Sequence, residues 1–152
     1  MLNSFKLSFD ELSKQQLYQL LQLRNEVFIV EQNAPYQDLD NKDGLATHFL
    51  SYHKKILVGY GRVMFDSDKQ AMSLGRLITK STHRNIGIAK RLMQHMLNFL
   101  LEQHSDESIT ISAQSYLENF YKSFDFITKG NTYLEDGLPH LKMIRASKAI
   151  KL

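Results

Sequence analysis

A chain of 152 residues, 43% hydrophobic and 23% charged, has the size and composition of one globular domain with its own core. It contains no cysteine, which excludes a disulfide framework, a thiolate zinc site and a cysteine nucleophile. The formal charge is only +3, the basic residues are scattered, and no apolar run approaches the ~18 residues of a membrane span, so neither a nucleic-acid surface nor a membrane protein is expected.

Met1 to Phe9 mixes polar and apolar residues and lacks the apolar core of a secretory leader, so a cytoplasmic protein is the expectation. Ser13-x-x-Gln16 has the form of a capping box. Beyond it Leu17, Leu20, Leu21, Arg24, Val27 and Phe28 recur at helical spacing, which predicts a helix of about four turns. Glu31 to Leu45, with Pro35 and Gly44, reads as a loop. His48 to His53 and Ile56 to Phe65 read as strands joined at Lys54-Lys55, and Ala71 to Thr79 as a third. Ile88, Leu92, Met96, Phe99 and Leu100 mark one face of a helix ending near His104. A strand over Ser108 to Ala113, a short amphipathic helix over Tyr116 to Phe124, and strands over Ile127 to Leu134 and Leu138 to Ile144 complete the chain. The order predicts a mixed α/β domain with one sheet covered by helices, filling residues 1–152.

Two rejected patterns narrow the chemistry. Asp38-Leu39-Asp40-Asn41-Lys42-Asp43-Gly44 imitates a calcium loop, but Lys42 takes the fifth position, the Gly comes one late and Phe49 replaces the twelfth-position Glu. It reads instead as a solvated turn or the lip of a pocket. The six histidines contain no His-x-x-x-His pair, and no metal is expected.

Arg84-Asn85-Ile86-Gly87-Ile88-Ala89 joins a buried strand to a helix. Main-chain N–H groups at a helix N-terminus have no partner within the helix and lie at the positive end of its dipole. The hexapeptide therefore fits a phosphate cradle, and equally an ordinary helix start in which Gly87 allows an unusual backbone angle. The Gly-x-Gly-x-x-Gly dinucleotide fingerprint and the Gly-Lys-Ser/Thr of a P-loop are both missing.

Ala113-Gln114-Ser115-Tyr116-Leu117-Glu118-Asn119-Phe120-Tyr121, running on to Phe124-Asp125-Phe126, follows about 25 residues later. Together the two segments resemble the GNAT (GCN5-related N-acetyltransferase) superfamily. A narrower resemblance, to its ElaA-type subfamily, is carried by the run Leu23 to Gln32, Pro35-Tyr36, Asp38-x-Asp40-x-x-Asp43, Gly75-Arg76 and Glu135-Asp136-Gly137-Leu138-Pro139-His140. The resemblance implies a mixed, mostly antiparallel sheet of six to seven strands flanked by helices. It implies acetyl-CoA as acyl donor and no metal. Its partner would be a small-molecule or peptide amine, in a superfamily where homodimers are common.

By the same resemblance Arg84, Asn85, Ile86, Gly87, Ile88 and Ala89 hold the pyrophosphate. A main-chain N–H of Leu77, Ile78 or Thr79 meets the thioester oxygen, and Gln114 lies at the splayed strand end. Tyr121 matches the family tyrosine that protonates the leaving thiolate. Read from the residues alone, Tyr121 is equally a packed aromatic. Glu31, Glu135 and His140 are the candidate bases, with a solvated carboxylate or turn residue as the plain alternative and a water chain as another route. Asp125 stands where a Gly is usual, and Asp tolerates left-handed angles. A catalytically silent acyl-CoA-binding module on the same fold is the competing function.

Overall fold

The structure, a computed structural model, describes residues 1–147. Seven strands form one sheet in the order β1-β2-β3-β4-β5-β7-β6: β1 Leu2–Ser8, β2 Thr47–His53, β3 Ile56–Asp66, β4 Ala71–Thr79, β5 Ile109–Gln114, β6 Ile127–Glu135 and β7 Leu138–Arg145. All neighbours are antiparallel except β4 and β5. The expected mixed sheet is present, with one strand more at the N-terminus than the hydrophobic pattern predicts. β1 is an edge strand whose residues are exposed or half-buried, and the alternation of Phe5, Leu7 and Phe9 that marks it is short.

Helix α1 (Lys14–Arg24) opens on the predicted capping box: the Gln16 amide donates to Ser13 Oγ at 3.0 Å and the Ser13 amide to Gln16 Oε1 at 2.9 Å. The helix does not stop at Arg24. It continues as a π-helix over Asn25–Glu31, a rare winding with i→i+5 hydrogen bonds that concentrates at functional sites. Helix α2 (Ile88–Gln103) buries Ile88, Leu92, Met93, Met96, Leu97 and Leu100 along one stripe. Helix α3 (Glu118–Lys122) is a single turn carrying Tyr121. No helix among the described residues is long and apolar enough to cross a membrane.

Phe49 and Leu50 are adjacent on β2, so they point to opposite faces of the sheet, and they belong to two different cores. Phe49 packs with α2, and Leu50 packs with Leu20, Leu23 and Val27 of α1 and the π-helix. On β4, Met72 and Leu74 join the first core while Ile78 joins the second, although all three have the same parity. An irregularity in the strand resolves this. The β3–β4 register jumps from Arg62↔Gly75 to Tyr60↔Ile78, leaving Arg76 and Leu77 opposite one residue, and Arg76 has a φ of +50°. This is a β-bulge with a left-handed non-glycine residue, costly unless the surroundings hold it. α2 lies hard against β3: a Cβ added to Gly59 would stand 2.6 Å from Ile88 Cγ2.

Candidate active site

β4 and β5 share one register pair, Met72↔Ile109, and diverge beyond it. The bulge on one strand and the divergence of the other open a wedge at their C-terminal ends, and three hollows meet around it.

The largest, about 610 Å³, is a groove walled by Val27 and Phe28 on one side, Leu77 to Thr79 on another, and His83 to Lys90 at its end. Arg84, Asn85, Gly87, Ile88, Ala89 and Gln114 all line it. Ile86 does not: its side chain is exposed. Ile78 and Ile88 turn their side chains into the cores, so they offer the groove only main chain. Gly87 is the N-cap of α2, with a φ of +86° and no side-chain cap. The amides of the first turn of α2 are thus left for an external acceptor. Asp125, in the Gly position of the family pattern, has a φ of +68°.

A smaller cavity of about 90 Å³ adjoins the groove and shares Phe28, Leu77, Gln114 and Leu117 with it. Tyr121, Glu135 and His140 meet here. Tyr121 is 6% exposed, and among the described residues its hydroxyl has no hydrogen-bond partner. Burial, with Tyr116 adding to it, raises its pKa and keeps it protonated. His140 Nδ1–H donates to the Leu138 carbonyl at 2.7 Å, which leaves Nε2 facing Glu135 Oε2 at 3.3 Å. Ser112 Oγ reaches Glu135 Oε1 at 3.3 Å and also the Tyr133 hydroxyl. The base candidates are therefore two parts of one network, on facing ends of β6 and β7.

Glu31 lies elsewhere. It lines the larger groove and accepts a hydrogen bond from Arg84 Nη2 at 2.7 Å. The neighbouring Gln32 accepts one from Gln114 Nε2 at 3.0 Å. The end of the π-helix is thus tied across the groove to both of its walls, and Glu31 is not among the residues around Tyr121.

The third hollow, about 280 Å³, continues from the small cavity past Tyr36, Arg76 and Asp136. Its wall corrects the solvated turn expected at Asp38 to Asp43. Asp38 and Asp43 are buried against three arginines. Arg24, fully buried, donates from Nε to Asp38 Oδ2 and from Nη1 to Asp43 Oδ1, both at 2.7 Å. Arg62 donates to Asp43 at 2.8 Å and also holds Asp40. Arg76 Nε stands 2.7 Å from Asp38 Oδ1, too misaligned for a hydrogen bond, while its Nη2 donates to the Asp38 carbonyl at 2.9 Å. Burial alone would raise the Asp43 carboxyl, but the Arg24 hydrogen bond and the charges of Arg24 and Arg62 outweigh it and hold it below the ordinary range. The same cluster fixes Tyr36 in the wall, where burial, then Asp38, push its phenol up to about 12.

Residues 9–146 match the family model of the acetyltransferase (GNAT) domain. The chain belongs to the GNAT family. Within it, this GNAT protein is 42% identical to the protein ElaA of Escherichia coli over 142 residues, 91% of this chain and 93% of that one. The crystal structure of E. coli ElaA superposes with a TM-score of 0.89 at 39% identity, covering 95% of this chain and 99% of the other. An acyl-CoA N-acyltransferase from Pseudomonas aeruginosa superposes equally well, TM-score 0.89, at 33% identity over 96% of this chain and 100% of its own. The fold and the ElaA-like kinship expected from the motifs are both borne out.

Ser112 and Tyr133 have no local signal that assigns them to the site, while Tyr36 and Asp136 stand in segments that carry the subfamily resemblance, which gives them no role. Gly75 does carry one for the bulge, because an isolated glycine within a strand pattern marks a bulge or a close approach.

Proposed function

We propose that this GNAT protein is an acetyl-CoA-dependent N-acetyltransferase that transfers the acetyl group directly to an amine. The observation that carries the reading is Tyr121: a buried side chain whose hydroxyl makes no hydrogen bond among the described residues, lining a small polar cavity that adjoins a long groove. The groove suits a CoA ester. Its end presents the uncapped amides of α2, and Lys90 on its wall has no ion pair among the described residues.

Each residue then has one task. The amides from Arg84 to Ala89 bind the pyrophosphate. A main-chain N–H of Leu77, Ile78 or Thr79, beside the bulge, donates to the carbonyl oxygen as it gains charge. The amine attacks as a free base, forming the N–C bond, and the Glu135–His140 network takes its proton. As the C–S bond breaks, Tyr121 gives its proton to the departing sulfur, and solvent restores it. Gln114 spans the strand end between donor and acceptor sides. A single base is not required, because His140 Nε2 and Glu135 Oε2 lie 3.3 Å apart and either can take the proton.

The deciding experiment measures free CoA released from acetyl-CoA across a panel of amines, for the wild type and Tyr121→Phe. Phe preserves the packing against Phe120 and Phe126. The variant is expected to lose about 100-fold or more in kcat, with acetyl-CoA affinity by calorimetry unchanged. Binding without turnover for every amine would make the protein a silent acyl-CoA module, and no binding at all would overturn both readings.

A further inference from the structure

The charges around the two acceptor-side hollows do not cancel. Arg24, Arg62 and Arg76 are matched by Asp38, Asp40 and Asp43. Lys42 and Lys69 are matched by Asp66 and Asp68. Even Glu31 is spent on Arg84. What remains is the β6–β7 turn. Glu135 has only His140 and Ser112, and the carboxylate of Asp136 has no ion pair among the described residues. Both line the small cavity and the larger hollow alike, so they stand where one opens into the other.

The deep end is different in kind. Phe28, Leu77, Leu117 and Leu138 make it apolar, and Tyr121, a residue 6% exposed whose hydroxyl makes no hydrogen bond among the described residues, lines it. An amine that reaches Tyr121 must shed its proton there. A cationic group attached behind it would rest at the turn, beside an uncompensated carboxylate.

We infer that the acceptor carries a second positive charge behind its reacting amine, as an aliphatic diamine or polyamine does, and that Asp136 receives this charge while the first nitrogen reaches Tyr121. The inference rests on the N-acetyltransferase reading above. It also predicts that the product keeps a charge at the turn, so high salt weakens both substrate and product binding.

Three four-carbon acceptors separate the possibilities: 1,4-diaminobutane, n-butylamine and 4-aminobutyrate, whose far ends are an ammonium, a methyl group and a carboxylate. Asp136 is exposed, so the diamine is expected to exceed butylamine by up to about fivefold in kcat/KM, the ratio that an ion pair with an exposed carboxylate supplies, with 4-aminobutyrate lowest. Asp136→Asn should bring the diamine-to-butylamine ratio close to one. Asn tolerates the left-handed backbone of this turn, where φ is +51°, so the variant keeps its geometry. Equal rates for diamine and butylamine would overturn the inference. So would a preference for 4-aminobutyrate, which would make Arg76 the recognising group. If no amine releases CoA, the enzyme reading fails, and calorimetry of 1,4-diaminobutane on the acetyl-CoA-saturated protein decides the cation site by itself. Binding that Asp136→Asn removes sustains the site, and absence of binding overturns it.

Discussion

Arg24→Met tests whether the buried charge cluster holds the acceptor wall. Methionine replaces the apolar stem of Arg24 but not its guanidinium, so packing loss is small. The guanidinium is fully buried and makes two 2.7 Å bonds to carboxylates and a third, at 3.2 Å, to the Asp38 carbonyl. Removing one partner of a buried ionic group costs about 3–5 kcal/mol, because the other partner is left uncompensated. Asp38 and Asp43 keep Arg76 and Arg62, so the lower end applies, about 3 kcal/mol. For a domain of this size each kcal/mol lowers Tm by about 2–4 °C, so a fall of about 6–12 °C is expected by calorimetry or circular dichroism. The amine KM should rise as well, since the cluster anchors the loop that carries Tyr36. A fall of less than about 3 °C would refute the reasoning, because the cluster would then contribute less than the lower bound for one buried ionic partner.

Gly87→Glu puts a carboxylate beside the amides expected to hold the pyrophosphate and forces a side chain onto a φ of +86°, so CoA affinity by calorimetry should fall below detection. Gly59→Ala should destabilise by about 1–3 kcal/mol in urea unfolding, because its methyl meets the branched Ile88 and Leu92 at 2.6 and 2.9 Å. Gly61→Ala meets only the flexible end of Met96 and should cost less. Stability should fall with acid in two stages, read by urea titration at several pH values. His48 has its pKa lowered by burial and by the charges of Arg24 and Arg62, so the unfolded chain takes up a proton first and stability drops as pH falls below about 6.5. Asp40, Asp43 and Asp66 are held below the ordinary carboxylate range, so their contribution is complete above about 4 and is lost below it.

The donor side was legible because its information is local. The helical stripe from Ile88 to Leu100 sets α2, and a Gly at its start sets the loop, all within a few turns of chain. The acceptor side is assembled from distant segments. Asp38, Asp40 and Asp43 look like a solvated turn until Arg24, Arg62 and Arg76 arrive from other elements, and no spacing rule connects them. β1 is hard to read for a different reason: Phe5, Leu7 and Phe9 alternate with polar residues, but the run is short and Asn3 before it breaks the pattern. The boundary between α1 and the π-helix is equally silent, since Leu20, Leu23 and Val27 keep an apolar face through it.

That π-helix has a consequence for how relatives diverge. An i→i+5 turn encloses one residue more than an α turn, and neighbouring residues of an α-helix are separated by about 100° of rotation. Deleting one residue between Asn25 and Glu31 would let the segment return to α winding with little net rotation at its end, so Glu31 and Gln32 would keep their ties to Arg84 and Gln114, whereas a deletion in the α-wound turns before it has no spare residue to give up and would carry both around by that angle. The widened turn can thus be lost while the strap across the donor groove stays, although Val27, which packs in the second core, lies on the same segment. Relatives with and without the widened turn can therefore keep the same strap across the groove and differ only in the wall that Val27 and Phe28 present to it.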